Sequence, residues 1–176
     1  MCATPSLSLC NLEKGSLCSS FVGFKENFFQ WFVGFSDAES SFSINPILKK
    51  DKVTISRFSF MFKIALHKDD IGVLNYIHNK LAKGNVRIYK NECIFNVTDK
   101  EGILSLISIF DKYNLNTTKH LDYLDFKKAF YLYIGRDENL NGELVYDAIL
   151  VLKNNMNTNR VNFDRLDNSK IVITKY

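Results

Sequence analysis

The sequence predicts an α+β domain in the order helix, two strands, helix, two strands, helices, an αββαββα core, and three observations predict it. Apolar residues Phe28, Trp31, Phe32 and Phe35 recur at helical spacing near the start. Two later regions alternate apolar with polar residues, as strands with one buried face do, and each region holds a pair of strand-like runs about a polar turn. Finally, 176 residues that are 46% hydrophobic suffice for one packed core and hardly two.

The first twenty-three residues (1–23), beginning MCATPSLSLCNLEKGSLCSS, read as a loose tail, and a single domain is expected over 24–176. "FKENFFQWFVGFSDAE" is the first helix. "SSFSINPIL" and "KVTISRFSFMFKIALH" follow as strands that turn at Lys49, Lys50 and Asp51. In the second, Phe58, Phe60, Phe62, Ile64 and Leu66 alternate with Arg57, Ser59, Met61, Lys63, Ala65 and His67, so one face is core and the other wet. "DDIGVLNYIHNKLA" reads as a short helix capped by Asp69 or Asp70, with Val73, Leu74, Ile77 and Leu81 inward and a stop at Gly84. A tighter strand pair, "NVRIYK" and "ECIFNVT", turns at Asn91. Helices follow at "DKEGILSLISIFDKY", "TTKHLDYLDFKKAFYLYI" and, after "GRDENLNG", "ELVYDAILVLKNNM"; a polar stretch and "KIVITKY" close the chain.

Composition excludes several classes. The formal charge is +4, from 23 basic and 19 acidic residues, a mild excess compatible with a polyanionic partner and with a plain enzyme alike. Cys2, Cys10 and Cys18 lie in the tail and Cys93 in a strand, with no close C-x-x-C pair, while His67, His78 and His120 are scattered, which argues against zinc and for free thiols. No apolar run reaches membrane-spanning length, so no membrane partner is expected. His120 has no serine or cysteine partner at a recognisable spacing, which leaves serine hydrolase chemistry unsupported. Lysine far outnumbers arginine and Asn, Ile and Phe are heavily used, the bias of AT-rich coding DNA, which points to an organellar gene.

The chemistry is concentrated at "FVGFSDAESSF". Gly34 and Ala38 stand one turn apart on one stripe, small enough for another helix to approach closely. Glu39 ends this helix, where the carbonyl dipoles already make the potential negative, so a carboxylate there is unfavourable and calls for a reason other than stability. If an identical helix packed on that stripe about a two-fold axis, two Glu39 carboxylates would meet. Their repulsion would be relieved by a divalent cation, and hard oxygen ligands suit Mg²⁺. Metal ions beside a scissile phosphate activate water and stabilise the leaving oxygen, which describes phosphodiester hydrolysis.

"FVGFSDAESSF" resembles the signature of the LAGLIDADG homing endonucleases, with Gly34, Asp37, Ala38, Glu39, Ser41 and Phe42 at its informative positions. The later "FDKYNLNTTKHLDYLDFKKAF" is similar to the segment of that family preceding its late helix. The resemblance covers most of Phe24 to Tyr176. It implies a curved antiparallel four-stranded sheet that lies on DNA, with the signature helix at a two-fold or pseudo-two-fold interface. It also implies Glu39 as metal ligand and catalytic carboxylate, the Ala38 carbonyl as a further metal contact, Asp37 in a structural role, and Gly34 at the close helix packing. Lys119 matches the family's basic residue near the site, although a solvated lysine near a helix start fits the same position. Ser40 stands where the signature has glycine, so a left-handed exit from the helix there would carry strain.

For DNA, the polar strand faces supply the candidates, since a sheet in the major groove presents alternate side chains to base edges. They are Ser43, Asn45 and Lys49, then Arg57, Ser59 and Lys63, then Arg87, Tyr89 and Asn96. Each position also fits an ordinary half-exposed sheet. One copy of the signature is found: "YIGRDENLNG" has acids but no small stripe, and "SKIVITKY" resembles the approach to a second copy. Four readings follow. The first is a homodimeric, Mg²⁺-dependent, site-specific double-stranded DNA endonuclease, encoded in an organelle such as the mitochondrion. The second is an intron RNA splicing maturase, the third a half-domain that binds DNA and lacks its second LAGLIDADG half, and the fourth an unrelated α/β structural protein.

Overall fold

In the computed structural model, which describes residues 17–136 and 142–161, alternation and helical periodicity give the expected order of elements. Helix α1 runs Leu17–Glu39, strand β1 Ser40–Leu48, β2 Ile55–His67, α2 Ile71–Leu81, β3 Asn85–Tyr89 and β4 Glu92–Val97. Three helices close the described chain: α3 (Lys100–Lys112), α4 (Lys119–Ile134) and α5 (Gly142–Asn154). The tail expected through residue 23 is therefore already helical from Leu17, because the run "LCSSFVGF" leads into the aromatic stripe with no proline to break the helix, and its one glycine is tolerated inside it. Cys2, Cys10, most of the "GRDENLNG" loop and "KIVITKY" lie outside the described residues. Among the described residues, no helix is long and apolar enough to cross a membrane.

The four strands form one antiparallel sheet in the order β1-β2-β4-β3. Because side chains alternate across a strand, the register Phe42 opposite Phe62 and Phe62 opposite Val97 fixes the inner face. Phe42, Ile44, Phe58, Phe60, Phe62, Ile64, Cys93, Phe95 and Val97 are buried on it. There they meet Phe28, Phe32 and Val33 of α1, Ile103, Leu106, Ile107 and Phe110 of α3, and Tyr123, Phe126, Ala129 and Phe130 of α4. Rings of Phe42, Phe62 and Phe110 lie within 6 Å of one another, so an aromatic cluster ties sheet to helices.

Local rules set the turns. The β1–β2 hairpin turns on Asp51, whose carboxylate accepts from the Val53 and Thr54 N–H groups, with Lys52 left-handed at φ 59°. Helix α2 ends one residue before the left-handed Ala82, ahead of the expected stop at Gly84. Gly84 still has its reason: at φ 79° a Cβ there would come within 2.7 Å of the Phe95 ring. Neither Asp69 nor Asp70 caps α2 in the expected way, since Asp70 makes no side-chain cap bond; a short 3₁₀ turn, Lys68–Asp70, leads into the helix instead. Asp99 does cap α3, accepting from Gly102 N at 2.7 Å.

Candidate functional site

Helix α1 delivers Glu39 to the point where β1 begins, and the residues around that junction are held from three sides. Asp37, only 9% exposed, turns away from solvent toward the α3–α4 loop. Its carboxylate accepts from Asn116 N at 2.8 Å, from Thr117 N at 3.1 Å and from Thr117 Oγ1 at 2.6 Å. The same Thr117 hydroxyl oxygen accepts from Lys119 N at 3.3 Å, so Asp37 fixes the start of α4. Lys119 then reaches back, its Nζ donating to the carbonyls of Ser36 and Ala38, each at 3.2 Å.

This answers the electrostatic problem posed by the acidic helix end. Helix α1 carries no basic residue in its own last turn, and Lys119 supplies that positive charge from α4. Burial pushes the Lys119 ammonium below its ordinary pKa, while the negative charges of Asp37, Glu39 and Asp122 oppose the shift. Ser40, where glycine was the reference, does not adopt a positive φ. It leaves the helix in strand conformation and its hydroxyl donates to Ser36 O at 2.5 Å, so the strain contingent on a left-handed exit does not arise. Glu39 itself is exposed.

Gly34 and Ala38 are both exposed on α1, and among the described residues nothing beyond the helix's own neighbouring backbone lies within 4 Å of a Cβ built on Gly34. Asn27 and Gln30 are exposed as well, and Trp31 is 41% exposed. Among the described residues nothing covers this face of α1, which leads to the exposed Glu39 carboxylate. Among the described residues, no three His, Cys, Asp or Glu side chains cluster as a metal site. The oxygen donors at hand are the Glu39 carboxylate and the terminal carbonyls of α1, a hard set that suits a divalent cation but supplies one carboxylate per chain.

Of the nucleic-acid candidates, the register places eight strand residues on the outer sheet face. Asn45 lies opposite Ser59, and Lys63 opposite both Ser41 and Asn96; Ser43, Arg57, Arg87 and Tyr89 share the parity. Lys49 is exposed in the hairpin turn beyond β1. Arg57, Arg87 and Tyr89 are exposed, Ser43, Ser59 and Lys63 half-buried. Asn96 differs: it is 5% exposed, and with its amide oriented to satisfy both neighbours it donates to Asn85 O at 3.2 Å and accepts from Arg87 NH2 at 2.9 Å. It supports Arg87 from beneath, which alternation alone, blind to the bulk of the neighbour above, does not reveal. Sequence reading also missed Thr117, the partner of Asp37. The doublet Thr117–Thr118 ahead of α4 was the available signal, since a threonine before a helix reads as a cap; Thr118 makes no cap bond and Thr117 serves Asp37.

The LAGLIDADG endonuclease family model matches residues 32–130. "Probable intron-encoded endonuclease Cox1-I1b" of Schizosaccharomyces pombe is 36% identical over 130 residues, covering 72% of this chain and 32% of that protein. "Uncharacterized mitochondrial protein RF1" of Saccharomyces cerevisiae is 31% identical over 153 residues, covering 85% and 29%. The chain thus spans about a third of the length of these curated relatives. Among solved structures, the LAGLIDADG homing endonuclease I-GzeII in complex with its DNA target superposes with a TM-score of 0.67 at 35% identity, covering 73% of this chain and 44% of that one. The homing endonuclease I-TnaI superposes with a TM-score of 0.66 at 27% identity, covering 78% and 92%.

Proposed function

The chain belongs to the LAGLIDADG endonuclease family, and from that premise we propose that it is a site-specific double-stranded DNA endonuclease that hydrolyses phosphodiester bonds with Mg²⁺. The observation that carries the proposal is the junction of α1 and β1, where an exposed Glu39 ends an uncovered small-residue face and Lys119 sits on the same helix terminus. Family membership implies dependence on a divalent cation. Glu39 and the Ala38 carbonyl would hold it, and when bound it supplies charge neutralisation at the phosphate and a more acidic water.

The chain's own residues have separable tasks. Glu39 presents a carboxylate that no hydrogen bond within its own helix end consumes. Asp37, through Thr117, fixes where α4 starts and so where the Lys119 ammonium stands. From there Lys119 balances the carboxylate and the helix dipole, and its ammonium is placed to polarise water or a phosphate oxygen. The outer sheet face, curved along the duplex, reads bases through Asn45, Arg57 and Arg87, while Lys49 and Lys63 hold phosphates. The second carboxylate comes from a second copy of the chain packed on Gly34 and Ala38. I-TnaI, of which this chain covers 92%, supports a chain of this size; the 44% coverage of I-GzeII favours the alternative, a second half within a longer polypeptide. A mitochondrial or other organellar location is supported by the naming of RF1 as a mitochondrial protein.

The test is cleavage of a randomised plasmid library with Mg²⁺, followed by sequencing of the ends. Wild-type protein should enrich a recurring site, near-palindromic if the enzyme is a homodimer, and Glu39→Gln should bind the selected duplex without cutting it. Cleavage by Glu39→Gln at the wild-type rate overturns the assignment of Glu39; absence of any cut site, with intron RNA splicing supported equally by both proteins, replaces the endonuclease with a maturase.

A further inference from the structure

We propose that Tyr146 of α5 is a positioning residue for the β1–β2 hairpin: it holds a bulge at Ser56 and so aims Arg57 and the hairpin turn at the duplex, an assignment that rests on the DNA reading above. The pairing of β1 with β2 is regular from Ser40 opposite Ile64 to Ile47 opposite Arg57, and then Leu48 stands opposite Ile55. Ser56 is therefore one extra residue on β2. Alternation counted back from the buried Phe58 would turn Ser56 to the core and Ile55 to the outer face. The bulge reverses this: Ile55 packs against the core and Ser56 is exposed.

An extra residue leaves the ladder, bends its strand and re-aims the side chains beside it. Here the bend has a partner from outside the sheet. Ser56 O accepts from the Tyr146 hydroxyl at 3.2 Å. The Tyr146 ring meets Phe58 edge-on, with centroids 5.1 Å apart, and Phe58 also meets the ring of Tyr133 in α4. Arg136, just past α4, sets its guanidinium 3.8 Å from the centre of the Tyr133 ring and 6.0 Å from that of Tyr146. Its NH1 donates to Tyr133 O, which holds it there. A tyrosine packs its ring and still offers a hydroxyl, so one side chain both rests on β2 and fixes the bulge.

The groups on either side of the bulge are those that face DNA. Arg57 is exposed on the outer face, and arginine is the side chain that matches guanine's two major-groove acceptors. On the other side, the turn carries exposed Lys49, Lys50 and Lys52. Asp51 stands three residues past Leu48, which puts the turn about 10 Å beyond the bulge at about 3.3 Å per residue. A change of about 20° in strand direction there moves the turn by about 3.5 Å, the rise of one base pair. Recognition by this hairpin thus depends on an angle set from α5, a helix that carries none of the outer-face candidates.

The experiment selects bound sequences from a fully randomised duplex library with the full chain as wild type, Arg57→Ala, Tyr146→Phe, a Ser56 deletion and, as an off-site control, Tyr131→Phe. Arg57→Ala defines the base positions that Arg57 reads. Tyr146→Phe keeps the ring on Phe58 and loses the bond to Ser56. Its thermal midpoint should match wild type while preference at those same positions falls about five-fold and the rest of the site, like the whole Tyr131→Phe profile, is unchanged. Deleting Ser56 abolishes the bulge with both flanking pairs in register, and should disturb the same positions. A wild-type profile in either folded variant overturns the proposal and leaves the DNA reading intact. So does a loss in Tyr146→Phe spread evenly over the site, which marks a merely structural role, and so does an Arg57→Ala profile equal to wild type, which removes the reader. Failure of wild-type protein to enrich any sequence overturns the DNA reading itself, and the proposal with it.

Discussion

Removing the Asp37 carboxylate should loosen the motif helix from the start of α4, and the structure sets the size of the effect. Three donors point at this one group: Asn116 N, Thr117 N and the Thr117 hydroxyl. Hydrogen bonds to a charged acceptor contribute about 1.5–3 kcal/mol each when buried. Asn116 and Thr117 are exposed, so water recovers much of that for the two backbone groups. A negative charge in the last turn of α1 also opposes the helix dipole, and its loss returns about 0.3–1 kcal/mol. Asp37→Ala should therefore cost about 2–3 kcal/mol of unfolding free energy. Asp37→Asn should cost only about 1 kcal/mol, because its Oδ1 keeps both N–H donors and the Thr117 hydroxyl turns to accept from Nδ2. Urea unfolding of both variants at neutral pH, compared at constant m-value, measures this. A loss below about 0.5 kcal/mol for Asp37→Ala would refute the reasoning, and so would equal losses for the two variants, since the argument rests on acceptor geometry.

Gly34→Leu tests the uncovered helix face: with nothing among the described residues beyond the helix's own neighbouring backbone within 4 Å of the new Cβ, the isolated chain should fold as well as wild type or gain up to about 1 kcal/mol of helix propensity, while light scattering across concentrations should show self-association lost. An unchanged dimer would exclude that face as the interface. Asp111 predicts an acid-range effect. Burial pushes its carboxyl up, but hydrogen bonds from Lys127 and Tyr123 outweigh that and hold it below the ordinary aspartate value. A depressed carboxylate contributes stability that is complete above its unfolded value near pH 4 and is lost as pH falls through the lower folded one. Wild-type protein should thus lose more stability than Asp111→Asn as pH falls from about 5 to 3; parallel curves would show that the bonds to Lys127 and Tyr123 contribute nothing.

The strand pairs were legible because their periodicity is intrinsic to the strand: Phe58, Phe60, Phe62 and Ile64 are buried as their alternation requires. So was the position of Glu39, since "GFSDAE" fixes both the small stripe and the acid that ends it. Asn96 obeyed the parity and yet is covered, because exposure on a sheet face depends on the side chain of the neighbouring strand, and Arg87 reaches it only once β3 pairs with β4. The caps expected at Asp69 and Asp70 gave way for a similar reason: the chain enters α2 from β2 through a 3₁₀ turn whose direction the sheet sets.

By itself the sequence determined the order of elements, the face of each strand and the Glu39 carboxylate at the end of α1, because these follow from local spacing along the chain. Only the tertiary structure decided what surrounds that carboxylate. Asp37 and Thr117 are eighty residues apart, Lys119 reaches the carbonyls of Ser36 and Ala38 from another helix, and Arg160 closes on Asp122 and Asp125 from beyond α5. Such pairings exist only after the aromatic core has brought α1 and α4 together, since a hydrogen bond between distant residues has no signature in the spacing of either.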